Sequence, residues 1–273
     1  MSDSFEHARF AGKVAVVTGA AQGIGEATAR LLAARGAAGL LLTDRQADRG
    51  RAVAASIAAG GVPTEFVAAE LDDLDQVMAV IPAADRRFGR VDVLVNCAAI
   101  TDRGSLWDTT PDLWDRVFAV NVRAPFFLMQ AALKIMDRDK IEGAIVNIIS
   151  VNAHGGSARL TPYSSSKGAL ATLTKNVAAA VSTRRIKVNG LNIGWVDTPG
   201  EHTTLKRFHD ASDDWLVEAE ERQPWGRLIK PDEVARAVAY LASAESGLMT
   251  GALVDFGQHV LGTPMAESTP ARG

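Results

Sequence analysis

The sequence predicts one α/β domain, a doubly wound parallel sheet with helices on both faces. Short aliphatic runs alternate with longer Ala- and Leu-rich stretches of helical period along the chain. Several of those runs are apolar throughout, as strands buried on both faces of a parallel sheet must be. No composition break, long linker or internal repeat divides the 273 residues.

Residues 14–17 read as the first strand and 24–35 as the first helix, with Ile24, Ala27, Leu31 and Ala34 sharing a face and Gly36 closing it. A strand over 40–43, a helix to about 59, a strand over 66–69 and a helix over 74–88 follow. The nearly all-apolar strand 91–96 comes next. Two longer helices are predicted over 111–138 and 163–183, separated by a strand over 144–149. In the second, Leu170, Leu173, Val177 and Val181 form a stripe, and Ala169, Ala171, Ala178 and Ala179 allow close approach; the stripe reads as core or as part of a subunit interface. Residues 187–191 read as a strand. Pro231 opens a helix with Val234, Ala237, Val238 and Leu241 on its buried face, and 252–256 form the last strand.

The polar region 200–230 breaks this alternation and reads as partly helical. A small substrate lid (about 198–230) or an ordinary surface helix pair would each fit there. An N-terminal extension is expected over 1–11, the domain over 12–262, and a mobile tail over 263–273.

Composition narrows the function classes. Ordinary hydrophobic content (47%) and charge (22%) exclude a disordered or membrane class. A formal net charge of −3 gives no electrostatic reason to expect nucleic acid or anionic lipid as a partner. Cys97 is the lone cysteine, so no intramolecular disulfide forms, which fits a reducing compartment. The opening MSDSFEHARFAGK lacks the apolar run of a signal peptide, and no stretch approaches the ~18 apolar residues of a membrane span. A cytoplasmic protein is expected. The five histidines, His209 among them, lack ligand spacing, so no catalytic metal is expected.

Two motifs carry chemistry. Thr18-Gly19-Ala20-Ala21-Gln22-Gly23-Ile24-Gly25 joins the first strand to the first helix, the setting of a dinucleotide-binding turn. Gly19 permits the turn, Gly23 lets backbone approach a pyrophosphate, and Gly25 lets the helix pack on the sheet. The helix N-terminus offers N–H groups to the phosphates. Asp44 ends the second strand, where a carboxylate accepts from ribose hydroxyls and repels a 2′-phosphate. NAD is therefore expected over NADP, with the neighbouring Arg45 able to stack on adenine or meet a phosphate. Gln22 adds no positive charge to the turn.

The second motif, Tyr163-Ser164-Ser165-Ser166-Lys167, sets Tyr and Lys four residues apart on one helix face. A lysine cation there is expected to lower the phenol pKa from ~10 and make Tyr163 an acid/base. Ser150, ending a strand, can hold the substrate oxygen, and Asn121 can hold a water linking Lys167 to solvent.

With TGAAQGIG at 18–25, Asp44, Asn96-Cys97-Ala98-Ala99, Asn121, Ser150 and YSSSK at 163–167, the chain resembles the short-chain dehydrogenase/reductase family from about Gly12 to Gly262. The resemblance implies a seven-stranded Rossmann-type sheet, a tetrad of Asn121, Ser150, Tyr163 and Lys167, and assembly as a homotetramer or dimer through the two long helices. It implies that Lys167 also binds the nicotinamide ribose, and that Leu71, Asp72, Asn96, Ala98, Ala99, Ile193, Gly194, Val196 and Thr198 lie along the cofactor. Glu70 stands where the family has the Asp that meets adenine, which lengthens that contact or transfers it to Asp72. Ala99 and Ile193 stand at positions the family usually fills with Gly and Pro.

Asn152, His154, Trp195, Glu201 and His202 are expected to join Ser150 and Tyr163 around the substrate. Their hydrogen-bonding groups suit a polyhydroxylated molecule. The stretches Ile193-Gly194-Trp195-Val196-Asp197-Thr198-Pro199-Gly200-Glu201 and Val254-Asp255-Phe256-Gly257-Gln258 resemble those of sugar and polyol dehydrogenases. The expected reaction is alcohol to ketone, or sugar hemiacetal to lactone. The competing readings are a non-catalytic NAD-binding sensor, a reductase of a less polar ketone, and an epimerase or dehydratase holding NAD.

Overall fold

The computed structural model describes residues 9–209 and 214–260. The tail expected over 263–273 and the start of the extension, 1–8, lie outside the described residues, as does the side chain of His209. Phe10 falls within the expected extension but is fully buried among Leu32, Ala37 and their neighbours, so core packing begins before residue 12.

Seven parallel strands form one sheet: β1 (Val14–Thr18), β2 (Gly39–Asp44), β3 (Thr64–Ala68), β4 (Val93–Asn96), β5 (Ala144–Ile148), β6 (Lys187–Ile193) and β7 (Leu253–Phe256). Their order is β3-β2-β1-β4-β5-β6-β7. The chain winds outward through β3, returns across β1, and winds the other way from β4. The β1/β4 boundary is therefore the switch point at which a crevice opens beyond the strand ends. The central strands β1, β4 and β5 are buried at every residue, the reason their sequences are apolar without alternation.

Helices α1 (Gly23–Ala34), α2 (Ala47–Ala59), α3 (Leu74–Phe88), α4 (Pro111–Phe118), α5 (Ala124–Arg138), α6 (Thr161–Val181), α7 (Pro199–His209), α8 (Trp215–Glu221) and α9 (Pro231–Ala242) connect them. One face of the sheet packs against α1, α2 and α9 through Leu32, Ile57 and Val238. The other packs against α3, α5 and α6 through Ile81, Met129 and Val181. In α1 the buried row is Gly25, Thr28, Ala29 and Leu32, displaced by one residue from the face expected on periodicity. Gly25 explains this: a Cβ there would lie 2.2 Å from the Gly19 carbonyl oxygen, so the helix meets the sheet at the glycine.

The long helix expected over 111–138 is interrupted by a π turn, Ala119–Arg123, between α4 and α5. Pro125 follows it and has no N–H to offer the Asn121 carbonyl, its α-register acceptor. The widened turn sits where that bond is missing. In the region 200–230, α7 and α8 enclose a small core of Leu205, Trp215, Ala219 and Leu228 beside the sheet's C-terminal edge. Among the described residues no helix is long and apolar enough to cross a membrane.

Candidate active site

A cleft of about 1320 Å³ opens at the C-terminal ends of the strands, reaching from Asp44 and Arg45 to Trp215 and Glu218. At one end the turn after β1 presents main chain rather than side chains. Gly19 has φ +68°, and a Cβ there would lie 2.8 Å from the Ala98 Cα. The Thr18 hydroxyl accepts from the Cys97 and Ala98 N–H groups, each at 3.0 Å, which fixes the ends of β1 and β4 together. Gln22, the N-cap of α1, is extended and its side chain does not cap the helix. The first N–H groups of α1 thus face the cleft without a capping side chain, and an anionic pyrophosphate fits that cradle.

Asp44 turns back onto the glycine turn: its Oδ2 accepts from the Ala21 N–H at 3.1 Å and its Oδ1 from the Gln46 N–H at 2.9 Å. Arg45 and Arg49 line the same rim, and the Arg49 guanidinium donates to Gln22 Oε1 at 2.7 Å. Arg49 went unnoticed in the sequence because it is one more cation in an exposed helix. Leu71, Asp72, Ala98, Ala99, Ile193, Gly194, Val196 and Thr198 all line the cleft, and so does Glu70.

Ser150, Tyr163 and Lys167 meet at the middle of the cleft. Ser150 stands just past β5 and accepts from the Asn152 N–H at 3.1 Å. Tyr163 and Lys167 occupy the buried first turns of α6, and the Lys167 ammonium lies 5.7 Å from the Tyr163 ring centroid. It donates to the Ile148 carbonyl at 2.8 Å. Burial pushes Lys167 down to about 8 and pushes the Tyr163 phenol up to about 12. The phenol is thus shifted upward, against the expected lowering by Lys167. Desolvation dominates both groups, and the ammonium is committed to a carbonyl. The Ser150 hydroxyl and Arg103 pull the phenol pKa down, while Glu201 pushes it up.

Four expected site residues are placed elsewhere. Asn121 is fully buried behind the cleft, its amide donating to the Ile100 carbonyl and the Ser166 hydroxyl and accepting from the Ile100 N–H, each at 3.0 Å. Asn96 points into the sheet and donates to Asn147 at 2.8 Å. His154 leaves the cleft to meet Asp255 at 3.1 Å, because the 3-10 turn after Ser150 carries it toward β7. His202 bonds Asp197 at 2.7 Å and packs edge-on against Trp215. Asn152, Trp195 and Glu201 do line the cleft. So does Arg103, from the loop after β4, whose only sequence signal is its position beyond a strand end. Among the described residues no group of acidic, His or Cys side chains is placed to hold a metal ion.

A family model described as enoyl-(acyl carrier protein) reductase matches residues 19–259. Galactitol 2-dehydrogenase of Agrobacterium fabrum is 36% identical over 244 residues, covering 87% of this chain and 93% of that one. Cis-4-hydroxycyclohexanecarboxylate dehydrogenase of Sinomonas cyclohexanicum is 36% identical, covering 90% and 95%. A dehydrogenase/reductase structure from Sinorhizobium meliloti superposes with a TM-score of 0.82 at 33% identity, covering 94% and 98%. A 3-oxoacyl (acyl-carrier-protein) reductase from Agrobacterium tumefaciens, solved with NADP bound, gives a TM-score of 0.84 at 27% identity, covering 95% and 98%.

Proposed function

This chain belongs to the short-chain dehydrogenase/reductase family, and from that premise we propose that it interconverts a secondary alcohol and a ketone with Tyr163 as the acid/base. The observation that carries this reading is one cleft joining an uncapped glycine turn to Ser150, Tyr163 and Lys167. When bound, an oxidised nicotinamide dinucleotide would supply the hydride acceptor. Ser150 would hold the substrate oxygen; Tyr163 as the phenolate would take the hydroxyl proton and become the phenol, and as the phenol would return it in the reverse direction. Lys167 would pass the proton onward and would hold the nicotinamide ribose. The relay beyond Lys167 would run through Asn121, whose side-chain N–H groups are both engaged and whose backbone carbonyl lacks its α-register donor because residue 125 is proline.

Asp44 supports NAD as the preferred cofactor, because a carboxylate at the end of β2 accepts from ribose hydroxyls and repels a 2′-phosphate. Arg45 and Arg49 on the same rim favour a second reading, NADP, the molecule bound in the Agrobacterium tumefaciens relative. A small polar alcohol, sugar or polyol, or a hemiacetal oxidised to a lactone, is supported by Asn152, Trp195 and Glu201 in the lining and by the galactitol-oxidising relative. Exposed Trp114 on α4 and Phe126 on α5 support a homotetramer or dimer through those helices and α6. The lone cysteine fits a cytoplasmic setting.

The test is absorbance of reduced nicotinamide with purified protein, NAD or NADP, and a panel of sugars, polyols and simple secondary alcohols. Turnover of a panel alcohol with NAD supports the reading. Tight cofactor binding with no turnover across the panel favours a binding-only role.

A further inference from the structure

We infer that Arg103 and Glu201 form a charge-neutral clamp in the cleft, selecting a neutral substrate that carries a second hydroxyl besides the reacting alcohol; the inference rests on the oxidoreductase reading above. The two side chains come from opposite walls, Arg103 from the loop after β4 and Glu201 from the first turn of α7. Both line the cleft, both are 17% exposed, and Arg103 Nη2 stands 3.6 Å from Glu201 Oε1.

Each member is aimed by its neighbours. The Trp195 indole N–H donates to Glu201 Oε1 at 3.0 Å, and the Glu201 backbone N–H donates to the Thr198 hydroxyl at 3.1 Å. Arg103 Nη1 donates to the Thr101 carbonyl at 2.8 Å. The Thr101 and Thr204 hydroxyls, 3.5 Å apart, brace the same two walls.

The chemistry follows from charge and distance. At 3.6 Å the pair attracts but is longer than a good hydrogen bond. A substrate hydroxyl beside it accepts from the guanidinium and donates to the carboxylate, leaving the two charges balanced. An anionic group would gain Arg103 but meet Glu201 as well, at a like-charge cost. Trp195, exposed at 39% and stacked on Trp215, gives a flat apolar face for the C–H side of a polyol or ring. Tyr163 and Ser150 line the same cleft as the clamp.

The test compares holoenzyme kcat/KM for cyclohexanol, the corresponding vicinal cyclohexanediol and cis-4-hydroxycyclohexanecarboxylate. The wild type is expected to favour the diol over cyclohexanol by at least ~10-fold, mostly through KM, since a site built to bond a hydroxyl rejects the analogue without it. Arg103→Met and Glu201→Gln should each bring that ratio toward unity by raising KM for the diol, and Arg103→Lys should recover part of it. Thermal midpoints identify any variant that fails to fold, and the wild-type ratio stands independently of the variants. Oxidation without diol preference, or a ratio unmoved in folded variants, overturns the clamp alone. Preference for the carboxylate, lost in Arg103→Met, also overturns it in favour of an anion site. No turnover of these three or of galactitol removes the oxidoreductase reading, and the clamp with it.

Discussion

Asn121 Nδ2 donates to the Ser166 hydroxyl over 3.0 Å, tying the π turn to the helix that carries Tyr163 and Lys167. Ser166 in turn donates to the Tyr163 carbonyl at 2.7 Å. The residue assigned to a relay is thus also the brace that sets where the acid/base stands.

Asn121→Ala removes that brace and leaves the Ile100 backbone groups without their side-chain partner. A loss of ~1–3 kcal/mol in urea denaturation is expected, the usual cost of orphaning a buried polar group. Ser166→Ala, which removes one link, should cost less. Equal midpoints for Asn121→Ala and wild type would contradict the bonding described.

Lys167 carries a pH signature. Its folded pKa of about 8 lies below the ordinary 10.5, so the unfolded chain binds more protons between those values and stability from this group rises with pH across that window. The stability difference between wild type and Lys167→Met should be flat below pH 8 and shift in favour of wild type up to pH 10.5. Urea midpoints of both proteins at several pH values measure it; a difference independent of pH would contradict the lowered pKa of Lys167.

Asp44→Ala removes the carboxylate proposed to hold the ribose hydroxyls while leaving Arg45 and Arg49 on the rim. The ratio of kcat/KM with NAD to that with NADP should fall at least ~10-fold, one charge-assisted contact and one repulsion being lost together. A fall in overall stability is also expected, because Asp44 accepts from the Ala21 and Gln46 N–H groups. An unchanged ratio in folded protein would assign cofactor choice to another residue.

Most of the framework was legible because it depends on local pattern. Largely apolar runs marked β1, β4 and β5, and the glycine turn marked the switch point, since those features follow from burial and from φ > 0 at Gly19. Tyr163 and Lys167 could be paired from their spacing alone. Contacts between distant segments were not legible. The sequence places Arg103 and Glu201 nearly a hundred positions apart, and only the return of α7 across the strand ends brings them together. His154 and His202 read as site residues because they flank motifs, yet each finds an aspartate away from the cleft, Asp255 and Asp197. The phenol pKa also ran against expectation, because burial, which spacing does not reveal, pushes it up.

The most direct test is Tyr163→Phe, assayed in parallel for cofactor affinity by fluorescence titration and for alcohol oxidation by reduced-nicotinamide absorbance. The phenol hydroxyl is the one atom removed, and the ring still fills its buried place on α6. Acid/base action by Tyr163 predicts cofactor affinity close to wild type and kcat lower by ~10²–10⁴-fold, the range of a lost general acid/base. Turnover within a few-fold of wild type would contradict it and move the proton to another group in the cleft.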